Sequence, residues 1–290
     1  MSIPGLTIIG ETINDSVPST HALFEENNLT GIVELAKAQA ATGAAYVDVN
    51  VGPRSPGFMA DVIRKIQEQV PTPLSIDTPD IAIAAAALDA YDTRRAGGKV
   101  PILNSVSEGR LEMFDLYNEY PFMPILLITE GRNAHGEMIL NKTAEGIHRT
   151  ARSILDFARG KMPGFSNDMV ILDPGIMPIG SDASGDFTRL MEAMALLHRD
   201  TVLAGVNVSV GLSNFTTMLP AKRGDGSPSK GPLESAFLTM AMPLGLNMII
   251  GSTKRRYSLL PDDDPAMQCV REVLKLEGVE AVMRVMLFLS

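Results

Sequence analysis

The chain has little of several residue types that whole classes of protein require. Among its 290 residues there are one cysteine, four histidines and no tryptophan. A single cysteine can form neither an internal disulfide nor a thiolate metal cluster, which indicates a reducing compartment. There is no apolar run of about 20 residues and no basic leader at the N-terminus, so we expect neither a membrane span nor a signal peptide. We therefore predict a cytoplasmic location.

Basic residues are also scarce. The 25 Lys and Arg are outnumbered by 34 Asp and Glu, which gives a formal net charge of −9. Nucleic-acid binding requires clustered positive charge, and the chain has only short basic runs such as residues 254–256. We therefore exclude a nucleic-acid partner and expect an acidic enzyme.

The chain alternates between short apolar runs rich in β-branched residues and longer segments of helical period. Between the runs, apolar residues recur at three- and four-residue spacing, which is typical of helices. Asp80 and Asp264 are predicted to cap helices. The predicted strands are residues 6–10, 46–51, 74–77, 100–105, 124–129, 169–173, 206–210 and 246–250.

Eight strand and helix units in one α/β chain predict a (β/α)8 TIM barrel, with residues 1–290 as a single domain. A doubly wound open sheet is the alternative. That fold is expected to carry a glycine-rich phosphate-binding turn after its first strand, and residues 10–14, Gly-Glu-Thr-Ile-Asn, are not such a turn.

Asp and Asn residues stand where five of the predicted strands end. If the strands are parallel, these side chains converge on one rim of the barrel. Asp77 alone could be a helix cap, but a set at the same end favours a shared ligand, because desolvated carboxylates need a partner. Carboxylates and amides together suit a nitrogen-rich ring such as an amino-pyrimidinone. A divalent metal is the alternative, which we disfavour because amides stand between the acids and no histidine is near. The residues are Asp48, Asn50, Asp77, Asn104, Asp173 and Asn214.

One segment interrupts the alternation. Residues 218–232, MLPAKRGDGSPSKGP, are rich in Gly, Pro and Lys and come soon after the seventh predicted strand. In a barrel this placement predicts a flexible loop on the carboxyl face.

Several strings resemble the pterin-binding barrel family in order and spacing, and within it the methyltetrahydrofolate:corrinoid-protein methyltransferases. They are IIGETIN, VDVNVGP, LSIDT, ILNSVS, LDPGIMP and GLSN followed by AFLTMAM. Dihydropteroate synthase, a second member of that family, is the alternative. Its strand-seven motif has a Ser-Arg-Lys type sequence where this chain has Gly211, Leu212, Ser213 and Asn214, and residues 52–56 differ from its Ser-Thr-Arg-Pro string.

The resemblance implies a role for each matching residue. Asp77, Asn104 and Asp173 would bind the pyrimidine edge of the pterin, and Asn214 would reach N5, which carries the methyl group. The other implied folate-binding residues are Asp48, Asn50, Glu11, Asn14, Gly211 and Ser213.

The implied substrates are tetrahydrofolate or methyltetrahydrofolate and a corrinoid (cobalamin) carried by a partner protein, with no metal bound by the chain itself. The resemblance also implies a homodimer. The methyl group could move in either direction, in acetyl-CoA synthesis or in demethylation, and a non-catalytic folate-binding module is a further alternative.

Overall fold

Eight parallel strands close into a barrel in a computed structural model that describes residues 3–290. The strands between residues 3 and 290 are β1 (Thr7–Asn14), β2 (Tyr46–Asn50), β3 (Leu74–Asp77), β4 (Ile102–Val106), β5 (Met123–Leu127), β6 (Glu130–Arg132), β7 (Met138–Leu140), β8 (Ile171–Asp173), β9 (Asn207–Gly211) and β10 (Met248–Gly251). The barrel order is β1-β10-β9-β8-β5-β4-β3-β2. This closed order confirms the predicted (β/α)8 fold, and the open-sheet alternative is wrong. Residues 1 and 2 of the predicted domain lie outside the described residues.

The helices lie outside the barrel. Those of residues 3–290 are α1 (Pro18–Glu25), α2 (Leu29–Ala41), α3 (Pro56–Gln67), α4 (Ile81–Ala90), α5 (Ala144–Lys161), α6 (Asp186–Arg199), α7 (Lys230–Ala241), α8 (Pro265–Val273) and α9 (Gly278–Leu289). Neighbours pack together, as α3 does on α4, α5 on α6 and α8 on α9. Within the described residues, no helix combines the length and apolar character needed to cross a membrane.

Local signals located the starts of two helices correctly. The Asp80 carboxylate accepts hydrogen bonds from the backbone N–H groups of Ala82 at 2.8 Å and Ile83 at 3.0 Å. Asp264 likewise accepts from Ala266 at 2.8 Å. Side-chain oxygens at this position satisfy N–H groups that have no partner inside the helix.

The α-helix predicted between the fourth and fifth strands is wrong, because a different kind of helix forms there. The connection between β4 and β5 contains a 3₁₀ helix, Leu111–Leu116, and no α-helix. This connection spans residues 107–122, and it is shorter than the connection between β3 and β4, residues 78–101, which contains α4. The buried Met113 and Phe114 anchor this short segment.

Strand β1 is longer than predicted. The prediction ended it at Gly10, whereas β1 continues to Asn14 after a register shift between Gly10 and Ile13. Ile13 is fully buried and pairs with Val49, which keeps the extended residues in the sheet. The other seven barrel strands overlap their predicted ranges.

The antiparallel hairpin of β6 and β7 was not predicted. It follows β5, and Glu130 pairs with Leu140. The backbone N–H of Arg132 donates to the buried Glu108 carboxylate at 2.6 Å, which fixes the hairpin above the connection from β4. Strands of three residues are too short to give a clear alternating pattern.

Contacts within the chain hold the segment of residues 218–232, which was predicted to be a flexible loop. Lys230 already belongs to α7, and an antiparallel bridge between Lys222 and Pro228 closes the loop on itself. Arg223 joins the loop to α9, because its Nε donates to the Phe288 carbonyl at 2.7 Å and its guanidinium lies 4.5 Å from the centre of the Phe288 ring. Contacts distant in sequence therefore hold the loop at α9, and its flexibility stays a prediction.

We expect Arg223→Ala to lower the free energy of unfolding by about 1–2 kcal/mol, because it removes a hydrogen bond from a charged donor and a cation–π contact. Urea denaturation would measure the change. Lys222→Ala is the matched control, since Lys222 is exposed and its bridge uses only backbone atoms; it should stay within about 0.5 kcal/mol of the unchanged chain. Equal stability of the two variants would show that the Arg223 contacts do not hold the loop.

Candidate active site

The barrel interior is built in layers. Six residues from six strands form an apolar cluster inside the barrel: Ile9, Tyr46, Ile102, Ile125, Ile171 and Met248. Side chains alternate across a strand, so the residue two positions later also points inward, one layer nearer the carboxyl end. Those residues are Glu11, Asp48, Asn104, Leu127, Asp173 and Ile250, and all six line one cleft.

This cleft has a volume of about 760 Å³ and lies at the carboxyl end of the barrel. Of the ten residues predicted for the site, nine line it: Glu11, Asn14, Asp48, Asp77, Asn104, Asp173, Gly211, Ser213 and Asn214. The tenth, Asn50, does not line the cleft, but its side chain donates a hydrogen bond to Asp77. The structure thus brings the predicted residues together, and their roles as folate ligands stay a prediction.

Asp77 is held by an amide and is not a helix cap. The Asn50 side chain donates to its carboxylate at 2.9 Å and accepts from the backbone N–H of Gly52 at 2.8 Å. The cap of α4 is Asp80. Burial raises the pKa of Asp77, although the Asn50 hydrogen bond and the charge of Arg110 act in the opposite direction.

Asp48 is the most deeply buried acid of the cleft, with 2% of its surface exposed. One of its oxygens, Oδ1, has no hydrogen-bond partner in the described protein. Burial and the neighbouring charge of Asp77 raise the pKa of Asp48 well above its ordinary value. A buried acceptor without a partner is costly, and hydrogen bonding from the Ser75 and Asn104 side chains offsets part of the effect of burial on this pKa.

Asp173 ends β8 and turns the chain into the next loop. Its Oδ1 accepts from the backbone N–H of Gly175 at 2.7 Å. Gly175 has a φ of +71°, a left-handed conformation that glycine adopts at little cost. Burial raises the pKa of Asp173 to about 6, and the Gly175 hydrogen bond offsets part of that effect.

Asn214 lies in the 3₁₀ helix Leu212–Thr216 that follows β9, the strand next to β8. Its side chain is exposed to the water of the cleft. A Cβ atom at Gly211 would lie 3.0 Å from Asn214 Nδ2, so a glycine leaves that side chain room. Ser213 Oγ donates to Glu11, which connects this turn to β1.

Sequence reasoning missed a polar cluster behind this turn. Glu234 of α7 is fully buried, and its Oε1 contacts both Thr216 and Arg255. The charge of Arg255 also counteracts the burial that raises the pKa of Glu11. Arg110, whose charge acts on Asp77, was missed as well. These residues lie on helices and loops, where nothing in the local pattern distinguishes them from surface charges.

The cleft is acidic. Four carboxyl groups line it, and no Lys, Arg or His among residues 3–290 does. Over that same part of the chain, the structure has no group of three or more His, Cys, Asp or Glu side chains placed to hold a metal ion. The arrangement therefore presents mainly hydrogen-bond acceptors to whatever binds there.

The profile of the pterin binding enzyme family matches residues 12–251, which is most of the chain. The chain therefore belongs to the pterin binding enzyme family.

A curated relative, the methylcorrinoid:tetrahydrofolate methyltransferase of Eubacterium limosum, is 26% identical over 259 residues, covering 84% of each chain. Among solved structures, the chain is similar to the 7,8-dihydropteroate synthase of Vibrio fischeri ES114, with a TM-score of 0.58, 15% identity and 96% of both chains covered. It is also similar to the dihydropteroate synthase of Xanthomonas albilineans with 4-aminobenzoic acid, with a TM-score of 0.56, 18% identity and coverage of 84% and 86%. At these identities the solved structures confirm the fold alone.

We expect Asp173→Asn to stabilise the protein at neutral pH. A pKa of about 6 in the folded chain, against an ordinary value of 3.8, means that folding favours the protonated carboxyl. The contribution of Asp173 to the free energy of unfolding is therefore fully present below about pH 4, and it is lost as the pH rises through about 6. The difference corresponds to at most about 3 kcal/mol, and contact with cleft water reduces it, so we expect a gain of about 1–3 kcal/mol at pH 7.5.

Urea denaturation at pH 7.5 and pH 4 would test this expectation, because the gain should disappear at pH 4. Asp263→Asn, at an exposed position, is the control and should change little at either pH. A gain of equal size at both pH values would show that titration of Asp173 is not its cause.

Proposed function

We propose that this chain transfers a methyl group between N5 of tetrahydrofolate and the cobalt of a corrinoid carried by a partner protein. The observation that carries the proposal is the composition of the cleft, with four carboxyl groups and no basic side chain among the described residues. The named relative from Eubacterium limosum supports the same activity.

The acids suit the pyrimidine edge of a pterin. That edge presents an amino group and ring N–H groups, and a carboxylate accepts two parallel N–H bonds. Asp77 and Asp173 are the proposed acceptors, and Asn104 offers both a donor and an acceptor between them. Asp48 also lines the cleft and is proposed to support these residues from β2.

The same composition disfavours dihydropteroate synthase activity. That reaction uses a pterin pyrophosphate, whose negative charges require Lys, Arg or comparable donors. The nearby arginines are occupied within the chain: Arg54 pairs with Asp15 and Glu25, each at 2.5 Å. Arg255 pairs with the buried Glu234, and Arg110 donates to Ser105 Oγ at 3.2 Å. A neutral reduced pterin fits an acidic cleft better than a pyrophosphate does.

Asn214 is the proposed catalytic residue. When the methyl group leaves N5, the nitrogen must gain a proton or a stronger hydrogen bond in the transition state. The amide can donate to N5 and stabilise the change in charge. The carboxyl of Glu11, held beside Asn214 by Ser213, adds a negative field that favours a protonated N5.

Anaerobic spectroscopy would test the function directly. Purified protein with methyltetrahydrofolate should consume the Co(I) absorbance of reduced cobalamin. Binding of methyltetrahydrofolate without any loss of Co(I) would identify a non-catalytic folate-binding module. Formation of pteroate from a pterin pyrophosphate and aminobenzoate would identify a synthase.

We expect Asp77→Ala to weaken methyltetrahydrofolate binding by about 10- to 100-fold, because it removes a charged acceptor from the pterin edge. Isothermal titration calorimetry would measure the affinity. Asp80→Ala is the matched control: it removes a carboxylate three residues later that caps α4 and does not line the cleft, so affinity should be retained. Unchanged affinity in Asp77→Ala would refute its assignment.

We expect Asn214→Ala to lower turnover by about 100-fold or more while affinity changes only a few-fold, because the contact acts mainly in the transition state. Single-turnover loss of Co(I) absorbance would measure the rate. Asn214→Asp keeps the shape but loses the N–H donors, so it should be equally slow. If either variant reacted at the unchanged rate, the contact to N5 would have to be abandoned.

A further inference from the structure

A second cavity lies beside the cleft. It has a volume of about 510 Å³ and shares Gly175, Ile176 and Met177 with the cleft. We call it the side slot. The two cavities are neighbours on either side of the loop after β8, so a ligand longer than a pterin would have to pass over that loop to reach from one to the other.

The lining of the side slot differs from that of the cleft. Apolar side chains form much of it, including Leu140, Ile147, Ile176 and Leu190. Two basic side chains also line it, Lys142 and Arg189, against a single acid, Asp186. The slot therefore combines an apolar surface with positive charge, which the cleft lacks.

The two basic residues are not equivalent. Arg189 already pairs with Asp186 at 2.5 Å. Lys142 is exposed and forms no ion pair with any residue of the described chain, 3–290. Lys142 is therefore the positive charge that remains available to a ligand in the slot.

The backbone places Lys142 firmly. The Asn141 side chain donates to the Ile128 carbonyl at 3.0 Å and to Thr150 Oγ1 at 2.9 Å. On the other side, Thr143 caps α5 by accepting from the backbone N–H of Gly146 at 3.1 Å. These contacts fix the backbone on both sides of Lys142, so its exposed side chain extends from a defined point at the edge of the slot.

We propose that the side slot binds the p-aminobenzoyl-glutamate tail of the folate, and that Lys142 selects tails carrying several γ-linked glutamates. This inference rests on the proposed function. The aromatic ring of the tail matches the apolar lining, and each added glutamate contributes a carboxylate near Lys142. The acidic cleft repels those carboxylates, which directs the tail towards the slot.

An outer groove continues from the side slot and limits the length of tail that gains affinity. It shares Lys142, Ser184 and Arg189 with the slot, and it is also lined by one further base, Lys275, and by three acids, Glu145, Glu192 and Glu277. The three acids offset the three bases, so glutamates that reach the groove gain little net attraction. We therefore expect the gain in affinity to come from the first two or three glutamates.

Calorimetric titration of three ligands would test the proposal: 6-methyltetrahydropterin, which has no tail, and tetrahydrofolate with one or three glutamates. The unchanged protein should bind the triglutamate about three- to tenfold more tightly than the monoglutamate. Lys142→Gln should abolish that difference and leave 6-methyltetrahydropterin binding unchanged. Lys65→Gln, a change of the same kind on α3, should behave as the unchanged protein.

The outcomes separate the two proposals. If 6-methyltetrahydropterin binds but the triglutamate shows no advantage, or keeps its advantage in Lys142→Gln, the side slot is not the tail site and the proposed function stands. If neither the pterin nor the folates bind, the proposed function fails and this inference fails with it. Thermal denaturation of each variant would confirm that the exposed substitutions leave the fold intact.

Discussion

Burial of acidic side chains at the mouth of the barrel, without a positive charge in the cleft, is the constraint around which this structure is arranged. Closure of the parallel barrel points Asp48, Asp77 and Asp173 into one space above an apolar interior. Removing a carboxylate from water is costly unless hydrogen bonds replace the lost solvation. The raised pKa values of all three groups express that cost. A ligand with several N–H donors offsets it, so binding and stability make opposite demands on these residues.

Neighbouring groups orient the carboxyl groups of the cleft, but they do not provide every carboxyl oxygen with a hydrogen-bond partner. Asn50 orients Asp77, and the Gly175 backbone orients Asp173. Asp48 keeps one buried oxygen without a partner. All three carboxyl groups line the cleft, and contacts within the chain fix two of them in place, which is the preorganisation that a binding site requires.

The proposed binding and catalytic residues come from different elements of the barrel rim. Asp48, Asp77 and Asp173 lie on β2, β3 and β8, whereas Asn214 lies on the 3₁₀ turn after β9, the strand next to β8. That turn is supported from below, because the ring of Phe215 lies 5.3 Å from the rings of both Phe187 and Phe237. In the proposed function, this exposed amide on an apolar base meets the reacting atom while the carboxyl groups of β2, β3 and β8 hold the pterin.

Beyond the cleft, the loops determine what else the protein can contact. The segment around Arg223 is tied to α9, so its charge is used within the chain. Lys142 is placed firmly but remains unpaired within the described chain, and its charge faces the side slot. Both residues are basic and both lie in polar, irregular sequence. Only their tertiary contacts separate a structural arginine from a lysine available to a ligand.

The sequence by itself determined the barrel, the approximate positions of its eight strands and nine of the residues that line the cleft. Strand alternation, apolar period and helix caps are local, so they can be recognised within a few residues of chain. The tertiary structure decided which polar groups meet: Asn50 with Asp77, Ser213 with Glu11, and Arg223 with Phe288. These partners are separated by 27, 202 and 65 residues along the chain. Only closure of the barrel brings them together, because no local pattern records the distance between two strands that are far apart in sequence.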